Sequence, residues 1–275
     1  MLAQRIITAA ILLTLFLAAL FFLPNRDWGL LLCAGMVLAG FEWGRLAGLS
    51  SRQGWGYGLG LGLVCLALLL LEQRGAFGPG LLYSMPGRIG YGLCVAFWIA
   101  VVPLWLYTRR QVRTPLVMGA VGALVLIPFW HALVFLQPTP GRLLAVMGVV
   151  WVADTAAYFA GRAFGRHKLA PHISPGKTWE GVGGAILGVM GYWLVVSAIA
   201  PTHAGRLPVG LLLPLVLFAV SVYGDLFESW VKRMAGQKDS GTLLPGHGGL
   251  LDRIDALTSA LPFAALYFAY PGLRL

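Results

Sequence analysis

The stretch IITAAILLTLFLAALFFL, residues 6–23, holds eighteen consecutive residues without a charge. That is close to the roughly 20 apolar residues one helix needs to cross the hydrocarbon core of a bilayer. Inside that core the backbone must satisfy its own hydrogen bonds, so such a stretch reads as a helix. Similar stretches recur along all 275 residues, and only 11% of the chain is charged while 59% is hydrophobic. Soluble domains carry about a quarter charged residues. Gln4 and Arg5 before the first apolar run also allow a cleaved signal. The run is long for that role and no small-x-small site follows it, which favours a retained helix.

Cutting the chain at its polar and Pro/Gly-rich breaks predicts nine helices, at about 6–24, 28–48, 55–72, 89–107, 116–136, 143–160, 180–200, 209–234 and 254–270. The fold class is therefore all-α, a polytopic integral membrane protein with a single membrane domain over 1–275. The third helix carries Gly54, Gly56, Gly58, Gly60 and Gly62, which reads either as close helix contact or as the ordinary tolerance of glycine in membrane helices. No internal repeat supports an inverted-repeat transporter.

Nine spans divide the 20 Lys and Arg residues unequally. Residues 5, 45, 52, 109, 110, 113, 162, 166, 168, 177, 232, 233, 238 and 253 fall on one face, 14 in all, and residues 26, 74, 88, 142, 206 and 274 on the other, 6 in all. Positive charge stays in the cytoplasm, so the N-terminus and the polar connections 161–179 and 235–253 are expected there, with the C-terminus outside. The net charge of +10 then reflects cytoplasmic loops facing anionic lipid or nucleotide, and nothing resembles a nucleic-acid-binding module. Cys33, Cys65 and Cys94 sit in apolar stretches without metal-ligand spacing and read as small buried residues.

Seven of the ten acids lie between 154 and 255. Residues 151–275 thus read as the catalytic helices and loops, and 1–150 as scaffold and lipid-facing surface. In LFAVSVYGDLFESWVKR, residues 217–233, Asp225 precedes Lys232 by about 10 Å along a helix axis. An acid at that depth usually pairs with a cation or lines a polar cavity. Ser221, Asp225, Glu228, Ser229 and Lys232 share one helical stripe. A self-neutralising Glu228–Lys232 pair is the bland alternative, and it leaves Asp225 unexplained.

The next segment ends in Asp252 and Asp255, on one side of a new helix, where acids are common for electrostatic reasons alone. Their neighbours add weight, because Gly246, Gly248 and Gly249 admit an anion, Lys238 supplies charge, and paired carboxylates suit a hard cation such as Mg²⁺. His247 alone reads as a structural hydrogen-bonding residue. Ser174, Gly176, Lys177 and Thr178 precede a helix start, which offers N–H groups to phosphate, although the Walker A glycine spacing is absent.

The run SWVKRMAGQKDSGTLLPGHGGLLDRID, residues 229–255, resembles the signature of the phosphatidate cytidylyltransferases: Ser, Lys-Arg, four residues, Lys-Asp, a spacer to Pro-x-His-Gly-Gly, then Asp-Arg-x-Asp. Residues 154–158, 161–165 and 174–181 resemble the family as well, with Gly176 where members usually carry a second lysine. The resemblance implies transfer of a cytidylyl group from CTP to phosphatidic acid, with Mg²⁺ as cofactor, a dimeric assembly and a place in the bacterial inner membrane. It implies Asp225 and Asp252 as metal ligands and Lys238, Asp239 and Asp255 as catalytic residues. Ser174, Lys177, Thr178 and Arg253 are the expected nucleotide ligands, and Lys232 and Arg233 the expected lipid-phosphate ligands. The rivals are a cytidylyltransferase for an isoprenoid lipid phosphate and an ion-coupled transporter using Asp154 and Asp225. A CDP-alcohol phosphatidyltransferase is disfavoured because its D-x-x-D-G-x-x-A-R pattern is missing.

Overall fold

The computed structural model describes residues 2–199, 211–243, 246 and 248–270. Nine helices are found among them: α1 (Leu2–Phe22), α2 (Asn25–Leu46), α3 (Ser51–Gln73), α4 (Met85–Thr108), α5 (Pro115–Leu136), α6 (Pro140–Phe164), α7 (Trp179–Ile199), α8 (Leu212–Met234) and α9 (Leu251–Ala269). They correspond one to one to the predicted nine. Seven, α2 to α8, have the length and composition to cross a membrane. The apolar part of α1, Thr8–Phe22, is shorter, and α9 opens with Asp252, Arg253 and Asp255.

Side-chain bonds tie the helices together at their ends. At one end Gln137 donates to the carbonyls of Leu20 (3.2 Å) and Leu23 (3.0 Å), and Asn25 donates to that of Val134 (2.9 Å), which fastens the α1–α2 turn to the end of α5. Nearby, Tyr270 donates to Leu82 O at 3.0 Å. The polar connections after α6 and α8 gather at the other end.

The third helix settles both readings of its glycines. A Cβ on Gly58 or Gly62 would strike α2 and one on Gly54 would rest in ordinary contact with it, whereas one on Gly56 or Gly60 would meet nothing. Close contact and simple tolerance thus alternate on two faces of α3.

One element departs from the all-helical expectation. The connection after α6 contains a two-stranded antiparallel hairpin, β1 (Lys168–Ala170) and β2 (Ser174–Thr178), with Lys168 opposite Thr178 and Ala170 opposite Ser174. Because α6 and α7 pack along their length, with Gly184 against Ala160 and Gly188 against Ala156, the chain must fold back between them. Pairing the two strands satisfies backbone groups that would otherwise be stranded.

Helix α4 contains a π-helical turn at Phe97–Val101, an insertion that shifts the register of everything beyond it. Its rings close around Phe227 of α8, with centroids 5.3 Å away for Phe97, 5.7 Å for Trp98 and 5.4 Å for Trp105. This aromatic cluster locks α4 to α8 two residues beyond Asp225.

Candidate active site

A cavity of about 460 Å³ opens between α6, β2, α7 and α8, a size suited to a small ligand. Its polar lining is Asp154 and Tyr158 from α6, Ser174, Lys177 and Thr178 from β2, and Ser221 and Asp225 from α8. The hairpin brings Lys177 across to α8, where its Nζ meets Asp225 Oδ2 at 2.5 Å. Ser229 Oγ donates to Asp225 Oδ1 at 3.3 Å. The acid that the sequence places within an apolar helix therefore has a cation beside it and a cavity in front of it. Thr178 Oγ1 accepts from Gly181 N at 3.1 Å, and His167 pairs with Glu180 at 2.6 Å. Both contacts fix the start of α7, so Thr178 spends its hydroxyl oxygen as a helix cap, and the segment read as a loop before a helix is a strand.

Behind the cavity, the glycine-rich loop folds onto Asp252. Asp252 Oδ2 accepts from Ser240 N (2.9 Å) and Gly249 N (2.8 Å), while Oδ1 meets Lys232 Nζ at 2.6 Å. Lys232 also contacts Glu228 at 3.2 Å. Gly248 has φ +81°, and a Cβ there would collide with Asp252 Oδ2, so only glycine lets the loop close this tightly. Gly224 serves the neighbouring joint: a Cβ would strike Ser259 Oγ and Asp255 O, and its absence lets α8 and α9 meet beside Asp225 and Asp255.

Glu42, in the middle of the presumed scaffold, completes this region. It is 3% exposed and accepts from Leu250 N, Leu251 N and Ser240 Oγ, each at 2.9 Å. A carboxylate is held there by the unpaired N–H groups and positive end of α9. Ser240 Oγ also lies 3.1 Å from Asp252 Oδ2, and its single proton serves one carboxylate at a time. Sequence reasoning missed Glu42; an acid in an apolar helix was the only available signal.

The expected site residues separate into two groups. Ser174, Lys177, Thr178 and Asp225 come together in the cavity, joined by Asp154, which was not among the expected ligands. Asp255 lies within electrostatic range of Asp225, Asp154 and Lys232. Lys238, Asp239, Arg233 and Arg253 are exposed on the loop or beside it. Lys232, expected to meet a lipid phosphate, is instead enclosed by Glu228 and Asp252. Asp225 and Asp252, expected to share a metal, pair with different lysines, and among the described residues no three Asp, Glu, His or Cys side chains converge into a metal group. His247 lies outside the described residues.

A membrane-embedded bundle with a charged cavity at the end where its polar loops gather has the construction of an integral membrane enzyme for anionic substrates. Comparison with known proteins narrows the class. Residues 3–271 match the cytidylyltransferase family, and the chain belongs to it. It is 41% identical to the phosphatidate cytidylyltransferase of Pseudomonas aeruginosa and 34% to that of Haemophilus influenzae, covering 98% of this chain in both cases and 98% and 99% of those proteins. The phosphatidate cytidylyltransferase of Brucella suis is 54% identical over 125 residues, 45% of each chain.

Proposed function

We infer that the protein transfers the cytidylyl group of CTP to phosphatidic acid, giving CDP-diacylglycerol and pyrophosphate. One observation carries the reading: Lys177 and Asp225 meet in a cavity whose lining draws on the 154–158 and 174–181 segments, in a chain that matches two phosphatidate cytidylyltransferases over nearly its whole length. A phosphate oxygen of the lipid attacks the α-phosphorus of CTP. The new P–O bond forms as the α–β anhydride bond breaks, and its electron pair leaves on pyrophosphate. No protein nucleophile is required, so the chain's task is to align two anions and balance their charge.

Lys177 is already aimed into the cavity and exchanges its carboxylate partner for a CTP phosphate. Ser174 supplies a hydroxyl on the same strand. Lys238 and Arg253 extend the positive surface to the triphosphate, with Asp239 beside them. Asp252 holds the loop through Lys232 and the Ser240 and Gly249 amides. Asp154 and Asp225 line one cavity, and two carboxylates together with the phosphate oxygens of the substrate suit a hard divalent cation. Asp225 and Asp154 would hold Mg²⁺ together with CTP phosphate oxygens, Asp255 adds negative charge nearby, and Asp252 has both oxygens engaged elsewhere. When bound, the metal supplies charge neutralisation for the pyrophosphate leaving group.

The 14 to 6 split of basic residues supports cytoplasmic placement of the N-terminus and the catalytic loops, and an external C-terminus. A bacterial inner membrane suits the relatives, and a dimer follows from the family resemblance. The deciding experiment incubates purified protein with Mg²⁺, CTP and phosphatidic acid. CDP-diacylglycerol and pyrophosphate are expected, with none formed from diacylglycerol. Reaction with an isoprenoid lipid phosphate but not with phosphatidic acid would overturn the substrate assignment.

A further inference from the structure

Of the two expected lipid-phosphate ligands, Lys232 is sequestered by two carboxylates, and Arg233 is exposed beside the loop and lines neither the cavity containing Lys177 nor the one containing Arg109. A second cavity, of about 380 Å³, lies between the end of α4, the hairpin and α8. Arg109 and His172 line it together with Ile173, Tyr223 and Leu226, and Leu169 lines both this cavity and the one containing Lys177. Tyr223 and Leu226 flank Asp225 in sequence on α8.

The turn that presents Arg109 is built rather than incidental. Arg109 has φ +51° and is the one non-glycine residue with positive φ among the described residues. Helices commonly end on glycine in this conformation, and an arginine accepts backbone strain there. Trp105 Nε1 donates to Arg110 O at 2.6 Å, pinning the turn immediately after it. Trp105 also packs on Phe227, so the position of Arg109 is set relative to the α8 segment that carries Asp225. A guanidinium is a planar fork of donors that matches phosphate oxygens in pairs, and the leucine and isoleucine wall suits the glyceryl ester beneath a lipid phosphate.

We propose that this second cavity is the docking site for the phosphomonoester headgroup of the lipid substrate, with Arg109 as its principal ligand and His172 as a second donor. The proposal rests on the reaction inferred above. The two cavities share Leu169, so a headgroup held at Arg109 lies next to a nucleotide held at Lys177.

Arg109→Gly is the informative variant, because glycine adopts the same turn without strain and only the side chain is lost. In mixed micelles its KM for phosphatidic acid should rise about tenfold or more, the scale of a lost charge-assisted hydrogen bond. Its KM for CTP and its kcat at saturating lipid should stay within about twofold. Arg109→Lys should fall between, and Arg110→Ala, which removes an ordinary interfacial charge, should match the parent protein. A second readout is independent of turnover: phosphatidic acid without CTP should raise the Tm of the parent protein and not that of Arg109→Gly. An unchanged lipid KM in Arg109→Gly, an equal rise in Arg110→Ala, or equal stabilisation by diacylglycerol or inorganic phosphate would overturn the site. If the parent protein made no CDP-diacylglycerol but its lipid-dependent Tm shift still required Arg109, the reaction assignment would fall and the lipid site would stand.

Discussion

Lys177–Asp225 and Lys232–Asp252 are the same chemical pair in two settings. The first lines a cavity, with its side chains 25% and 28% exposed; the second is sealed behind the loop at 11% and 6%. The open pair has one further hydrogen bond, from Ser229, whereas the closed pair is wrapped by Glu228 and by donors from Ser240 and Gly249. A buried pair owes its place to complete hydrogen bonding, since desolvation offsets most of its Coulomb attraction. An exposed pair contributes little to stability and is free to change partners. The difference teaches that the same lysine–aspartate chemistry can serve as a working pair in one setting and as a framing pair in another.

Mutations can break that division. Lys232→Met should produce the largest effect, a loss of about 3–5 kcal/mol of stability because Asp252 and Glu228 are left buried without their cation. Thermal unfolding in detergent measures it, and adding Asp252→Asn should restore part of the loss. Asp225→Asn should act in the opposite sense, with kcat falling at least about a hundredfold while Tm stays near that of the parent protein. A large fall in Tm for Asp225→Asn would erase the distinction between the pairs.

Glu42→Gln sharpens the comparison from the framing side. The amide keeps the shape but loses the charge that faces three donors, a change of about 1–3 kcal/mol. Faster hydrogen exchange in residues 236–243 and 248–251 is the expected signature. Lys168→Ala should have the smallest effect, within about 0.5 kcal/mol in stability and with little change in turnover, because Lys168 is an exposed anchor at the start of the hairpin.

The open pair was largely legible in the sequence, and the framing was not. Asp225 stands out because an acid in an apolar helix demands an explanation, and the signature spacing around Lys238 and Asp252 is local. Glu42 lies in FEWGR with Arg45 three residues on, which reads as an interfacial charge. Its partners are 198 to 209 residues away, and no local pattern encodes them. The hairpin was hidden by Pro171 and Pro175, since proline argues against a strand; two short strands with only each other for a partner accommodate it. Which lysine would be sealed also depended on tertiary packing, because Lys177 and Lys232 look alike along the chain.

The long reach of Glu42 has a consequence for biogenesis. Helix α2 leaves the ribosome well before α9, since the amides of Leu250 and Leu251 lie 208 and 209 residues beyond Glu42. Until α9 arrives, Glu42 is an acid in a membrane helix without its partners, a state that costs free energy. Helix α9 therefore supplies the partners that α2 has lacked since it was made. A chain stopped before residue 250 retains that unsatisfied acid, which favours its recognition and removal by quality-control proteases over its persistence as an inactive enzyme.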